Sequence, residues 1–217
     1  PYQVGYYSYY FNGSTDYLQF PANAGFSLTG DFTIEAWVFL PVVGTGPYSI
    51  FGTGSGASNF DFRYYSGAWQ VSLNAGSGSS LGGTLAAGVW THAALVRVGS
   101  SINCYLNGVK TATTVTSGAS LGGSGTVGQV GASDSAGNKM AGYISNLRIV
   151  KGMGLYTAAF TPSTTPLLNI PNTVLLTCQS NRFIDTSLNN SSTSTVGGSP
   201  KATSANPFVG PYQAGTQ

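Results

Sequence analysis

The chain has 217 residues, of which 6% are charged, and its net charge is +2. So few and such scattered basic residues exclude phosphate-driven nucleic-acid binding, and no apolar run nears the ~18 residues of a membrane-inserting helix. With three Trp, eleven Phe and thirteen Tyr, the chain carries far more core-forming material than a disordered segment.

Helical periodicity is almost absent, and short runs of period-two alternation punctuated by Gly-rich turns replace it. The N-terminal "YYSYYF" reads as an edge strand with one tyrosine face turned toward a neighbouring module. "DFTIEAWVFL" places Phe32, Ile34, Ala36 and Val38 on one face and Thr33, Glu35, Trp37 and Phe39 on the other. In "NFDFRYYSGAWQVSL", Phe60, Phe62 and Tyr64 alternate with Asp61, Arg63 and Tyr65. After the "SG" turn, Trp69 and Val71 alternate with Gln70 and Ser72. "WTHAALVRV" sets His92, Ala94 and Val96 on a common face. Asn107–Gly108, after "SINCYL", is the signature of a type I′ hairpin turn.

Further along, "GYISNLRIV" alternates Tyr143, Ser145, Leu147 and Ile149 with Ile144, Asn146, Arg148 and Val150. A single helical turn is expected over 155–160, ended by Pro162. Residues 171–208 read as one more strand, a polar turn and an edge strand. They extend the same unit, since they hold too little apolar content to fold alone. About a dozen short strands at this spacing predict an all-β, two-sheet antiparallel sandwich spanning 1–217 as a single domain. "PYQVG" at 1–5 recurs as "PYQAG" at 211–215, the placement expected of linkers in a tandem array. Together with Pro1 in place of an initiator methionine, it points to a piece of a longer or processed chain.

Three stretches together resemble the laminin-G-like jelly roll of the concanavalin A-like lectin/glucanase superfamily. They are "YYFNGSTDYLQFPANAGFSLTGDFTIEAWVF", "VWTHAALVRVGSSINCYLNGV" and "GYISNLRIVKGMGLYTAAFTPSTTPL". The tail "LLTCQSNRFIDTSLNN" is similar to an extension of such modules in phage and marine-bacterial surface proteins. The resemblance implies two antiparallel sheets, one of them concave. Among relatives it implies glycan or protein binding, often with Ca²⁺, and β-glucan hydrolysis in one branch.

The residues do not support the hydrolytic branch. Retaining glycosidases need two carboxylates about 5–5.5 Å apart. Glu35 is followed on its face only by Trp37 and Phe39, while Asp16, Asp31, Asp61, Asp134 and Asp185 are isolated in sequence. His92, the single histidine, has neither a G-x-S-x-G nor an H-x-x-H partner and reads as a hydrogen-bonded strand residue. Cys104 and Cys178 form no CxxC. They read as two buried thiols, with a disulfide between them as the alternative.

Glycan binding needs exposed aromatics beside hydrogen-bonding groups. Asp61, Arg63, Tyr65, Trp69 and Gln70 have that texture, against the alternative that Trp69 and one tyrosine are core. For Ca²⁺, which is possible but not required, the resemblance points to Asn12, Asp16, Asp134 and Asn146. Asn12 and Asn146 stand where relatives carry acids, which weakens the site, and turn capping is the alternative for the two aspartates. The expected chain is a non-enzymatic attachment or display module of a virion or extracellular cell-surface protein. Its expected partners are neighbouring modules or subunits and a host-surface glycan. A purely architectural module is the rival reading.

Overall fold

The computed structural model describes residues 5–53, 59–73, 78–122, 125–133, 137–191, 193 and 195–208. The two "PYQ" segments lie outside them. Among the described residues fifteen strands form two antiparallel sheets packed face to face, the sandwich that the alternation predicts and the jelly roll that the resemblance implies. The eight-stranded sheet contains β1 (Ser8–Asn12), β3 (Phe32–Phe39), β8 (Thr91–Val98), β9 (Ser101–Leu106), β10 (Val109–Thr116), β12 (Ala141–Lys151), β13 (Thr173–Thr177) and β15 (Lys201–Thr203). The seven-stranded sheet contains β2 (Tyr17–Phe20), β4 (Tyr48–Thr53), β5 (Phe60–Tyr65), β6 (Ala68–Leu73), β7 (Ser79–Gly82), β11 (Gly128–Val130) and β14 (Thr195–Gly197).

The core lies between the sheets and is filled by the apolar face of each strand. Phe32, Ile34, Ala36 and Val38 of β3 meet Phe60, Phe62, Tyr64, Trp69 and Val71 of β5 and β6 in one buried cluster. Alternation alone therefore decides which residues face out.

Two hairpins have the turn geometry that their sequence demands. Asn107 and Gly108 (φ 48° and 83°) join β9 to β10, and Ser66 and Gly67 (φ 51° and 83°) join β5 to β6. Positive φ at both central residues is the type I′ requirement.

Strict alternation breaks in β4, where Ile50 and Phe51 both enter the core at a register shift, and again in β12. Ile144, Leu147 and Ile149 all lie in the core, so the strand changes face between Ser145 and Arg148. The cause is a bulge at Asn146, which sits at φ 54°, with one extra residue consumed. The bulge also lets β12 change partner along one edge, with β1 beside its first half and β13 beside its second.

Two further expectations are corrected. The N-terminal tyrosine strand is no edge, because β1 lies between β12 and β15, with Tyr9 and Phe11 in the core. Its edge is covered by the tail, which adds β13 and β15 to one sheet and β14 to the other. The helical turn over 155–160 does not form. Residues 152–170 run as an irregular strap over the outer face of the eight-stranded sheet. Their hydrogen bonds go to the sheet: Leu155 N donates to Thr33 Oγ1 (2.9 Å) and Phe160 N to Gly108 O (3.0 Å). Cys104 and Cys178 are both buried and unbonded, and burial pushes both thiols up, so they are inert packing groups.

Candidate functional site

Asp61, Arg63 and Tyr65 of β5 and Gln70 of β6 lie together on the outer face of the seven-stranded sheet. The two-residue turn fixes the register, setting Arg63 opposite Gln70 and Tyr64 opposite Trp69. Trp69 therefore shares the face of Tyr64, in the core. It is fully buried, 5.0 Å from Phe62 between ring centroids, and offers no ring to solvent. The five hairpin residues thus divide four to one, and Trp69 leaves the glycan-facing set. The signal was in the sequence: a type I′ turn at Ser66–Gly67 dictates this pairing.

Asp61 is buried and heavily bonded. Ser49 Oγ donates to it at 2.6 Å, Asn138 Nδ2 at 3.0 Å and Arg63 Nη1 at 3.3 Å. Burial pushes its carboxyl up, outweighing the opposing bonds and the Arg63 charge. Arg63 is thereby anchored, its guanidinium 5.5 Å from the Tyr65 ring centroid and its Nε without a partner among the described residues. Tyr65 is 39% exposed, and Gln70 Nε2 donates to its carbonyl at 3.3 Å. Across the sheet the same face continues as a row of Gln19, Gln129, Gly52, Asp61 and Ser72. A second row runs through Ser49, Arg63, Gln70 and Ser80. This is a face of amides and hydroxyls, with one anchored cation and one half-open aromatic ring.

The residues expected to hold Ca²⁺ are not gathered. Asn12 and Asp16 share the β1–β2 turn. Asn12 Oδ1 accepts from the amides of Ser14, Thr15 and Asp16, and Asp16 accepts from Asn12 N, Thr15 Oγ1 and Ser199 N. Asn146 sits at the β12 bulge, five residues along that strand from Ala141, the partner of Asn12, which is roughly 15 Å away. Its Oδ1 accepts from Leu167 N and Gln179 Nε2, and its Nδ2 donates to Gly5 O. Asp134 lies outside the described residues. A hard cation needs six to eight oxygens free to converge on it. Those of Asn12, Asp16 and Asn146 are committed to the fold in two places, so the set does not fit the ion.

On the opposite outer face, Glu35 forms a network that sequence reasoning missed. Arg148 donates to its Oε1 through Nε (2.9 Å) and Nη2 (2.6 Å). His92 Nε2 (3.1 Å) and Tyr156 OH (2.8 Å) reach Oε2. Glu35 and His92 are almost wholly buried. Burial opposes ionisation of Glu35, but the His92 hydrogen bond, the charge of Arg148 and the Tyr156 bond prevail. They hold the carboxyl below the usual range. Burial and the Glu35 charge push the Tyr156 hydroxyl up, so it keeps the proton it donates. An ionised carboxylate only accepts, which fixes His92 with its proton on Nε2. Alternation put Glu35 and His92 on outer faces, but nothing local announced that the strap would bury them.

A model of the concanavalin A-like lectin/glucanases superfamily, in its laminin G form, matches residues 12–153, and the chain belongs to that family. Among solved structures, a putative carbohydrate binding protein from Bacteroides ovatus is similar at 15% identity and a TM-score of 0.63. The match covers 96% of this chain and 62% of that one. The heptameric SAP-like pentraxin of Limulus polyphemus matches at 15% identity and a TM-score of 0.55, over 74% of this chain and 80% of its own. Mouse laminin alpha1 domains LG4-5 match at 15% identity and a TM-score of 0.52, covering 75% of this chain and 45% of that fragment. No significant match exists among proteins of curated function. At this identity the structures establish the fold alone. No helix among the described residues is long and apolar enough to cross a membrane.

Proposed function

We propose that the chain is a non-enzymatic carbohydrate-binding module and that Arg63, Tyr65 and Gln70, backed by Asp61, form its binding face. The observation that carries this reading is the anchored Arg63 beside the half-exposed Tyr65 ring, on a sheet face otherwise made of amides and hydroxyls. A ring face covers the apolar side of a sugar, while amides and guanidinium groups bond its hydroxyls. The family membership and the likeness to a putative carbohydrate binding protein support the same class of ligand.

Catalysis is not part of the reading. Each of the five acids in the described residues accepts hydrogen bonds from the fold. Glu35, the most elaborately held, is sealed from solvent and kept ionised, so it cannot serve as a general acid. Binding is also proposed to be independent of Ca²⁺, because the oxygens of Asn12, Asp16 and Asn146 already accept protein donors. The sparse charge of the chain fits a surface that behaves alike at any ionic strength. On that ground we propose an extracellular or virion location, with attachment or display as the module's role.

A glycan array run with and without chelator tests this, using the wild type and an Arg63→Ala/Tyr65→Ala variant. The expected result is specific retention that survives chelation and drops at least about tenfold in the variant, with an unchanged melting temperature. Wild-type retention by the variant would move the binding elsewhere. A blank array would leave an architectural module.

A further inference from the structure

The eight-stranded sheet carries a second feature of binding type, on the side of the sandwich away from Arg63. Two clefts flank the chain segment 205–208. The first, about 400 Å³, is lined by Trp37, Asn107, Pro162, Ser163, Thr164 and Pro207. The second, about 220 Å³, is lined by Phe39, Trp90, Tyr143, Ala205 and Asn206. Trp37 and Phe39 stand two apart on β3 and so project from the same face, which makes the clefts neighbours along one strand. Their combined scale is that of a small-ligand site, roughly 300–1,000 Å³.

The walls are fixed in advance. Asn107 Oδ1 accepts from His92 N at 2.9 Å, which leaves the amide NH₂ as the side chain's remaining polar group. Asn206 pins its own segment, with Nδ2 donating to Tyr6 O (3.2 Å) and Ser204 O (2.9 Å) and Oδ1 accepting from Phe208 N (2.9 Å). The Glu35 network holds the strap that supplies Pro162, Ser163 and Thr164. Phe39, Trp90 and Tyr143 pack as a trio with ring centroids 5.4–6.4 Å apart. All three remain partly exposed.

Two features specify the occupant. No charged side chain lines either cleft, so nothing complements an ionic ligand. Rings stand beside amides and hydroxyls, the combination that suits a polyhydroxylated ring compound. In addition, the indole Nε1 of Trp37 is buried without a hydrogen-bond partner among the described residues. A native structure rarely leaves such a donor unused, and a hydroxyl oxygen is its natural partner.

We infer that these paired clefts form a second carbohydrate site, selective for uncharged oligosaccharides, with Trp37 and Trp90 as its aromatic contacts. The inference rests on the carbohydrate-binding reading for its ligand class and is independent of the Arg63 face for its location.

The test uses the full chain and soluble cello-, malto- and manno-oligosaccharides, followed by tryptophan fluorescence and calorimetry at low and high salt. The variants are Trp37→Phe, which removes the indole N–H and keeps an aromatic ring, Trp90→Ala, and Arg63→Ala/Tyr65→Ala. At least one of the three sugars is expected to bind with a fluorescence change and an affinity unaffected by salt. Loss of about tenfold or more in either tryptophan variant, at wild-type melting temperature and with binding retained by Arg63→Ala/Tyr65→Ala, supports the site. The inference is overturned if the wild type binds none of the sugars. It is equally overturned if both tryptophan variants bind as the wild type does. Should binding then vanish in Arg63→Ala/Tyr65→Ala, the Arg63 face stands alone and only the second site is lost.

Discussion

On the eight-stranded sheet, Thr33, Glu35 and His92 point away from the core and are roofed by the strap of residues 152–170. On the seven-stranded sheet, Arg63, Tyr65 and Gln70 point away from the core and meet solvent at least in part. Both sets arise from the same alternation, yet the same kind of ion pair has opposite physics in the two places. Glu35–Arg148 is sealed, with two guanidinium N–H groups on Oε1, and Oε2 is satisfied by His92 and Tyr156. Asp61–Arg63 is a single 3.3 Å contact, with Asp61 buried and Arg63 14% exposed beside the half-open Tyr65 ring. The roof turns one outer face into a second small core, where Ala94, Val96 and Tyr105 pack against Tyr156 and Phe160.

The contrast is broken most severely by removing the acid at the centre of the roofed network. Glu35→Ala strands the buried Arg148 guanidinium and frees the Tyr156 hydroxyl, and is expected to cost about 3–5 kcal/mol in urea unfolding. Arg63→Ala leaves Asp61 with Ser49 and Asn138 and should cost only about 1 kcal/mol. Equal losses would mean that the strap does not seal its face.

The two type I′ turns provide a gentler comparison, because they share dihedral angles and differ in surroundings. A Cβ on Gly108 would stand 1.7 Å from Phe160 O, whereas one on Gly67 meets nothing within 4 Å. Both substitutions to alanine incur the positive-φ penalty of about 1 kcal/mol. Gly108→Ala must also displace the strap where Phe160 N bonds Gly108 O. It should lower stability by about 2–3 kcal/mol, against about 1 kcal/mol for Gly67→Ala. Thermal melts of the two single variants give the difference directly.

These comparisons also mark what the sequence revealed. The inward faces of β3, β5 and β6, both hairpin turns and the sandwich itself were legible, because each depends on a period of two and on turn residues a few positions apart. Trp69 was legible too once the Ser66–Gly67 turn was allowed to set the register. The bulge at Asn146 was not. Its stability comes from Cys178, Gly5, Leu167 and Gln179, all distant in sequence, which bond its backbone and its amide. The Glu35 network was hidden for the same reason, since Arg148 and Tyr156 lie 113 and 121 residues away. The calcium expectation came from resemblance at single positions, and the fold had already used those oxygens for its turns and its bulge.

The finest distinction between the faces is in how each titrates. Glu35 is held below its ordinary range, so the native state binds its proton less readily than the unfolded chain does. Its stabilisation is complete above the ordinary glutamate pKa of about 4.3 and is lost as pH falls toward the lower folded value. Asp61 is pushed up, so its native state holds the proton more tightly. Stability therefore falls as pH rises from the ordinary aspartate value of about 3.9 through the higher folded one. Neither slope can exceed about 1.4 kcal/mol per pH unit, the limit for one proton. Urea melts across this range should show that Glu35→Gln removes a loss on the acid side, while Asp61→Asn removes a loss on the neutral side. The wild-type profile is then a dome, produced by two carboxylates on opposite faces acting with opposite sign. If both variants flatten the same limb, the roofed and open faces do not differ electrostatically, and the sealing of Glu35 by the strap is not what keeps it ionised.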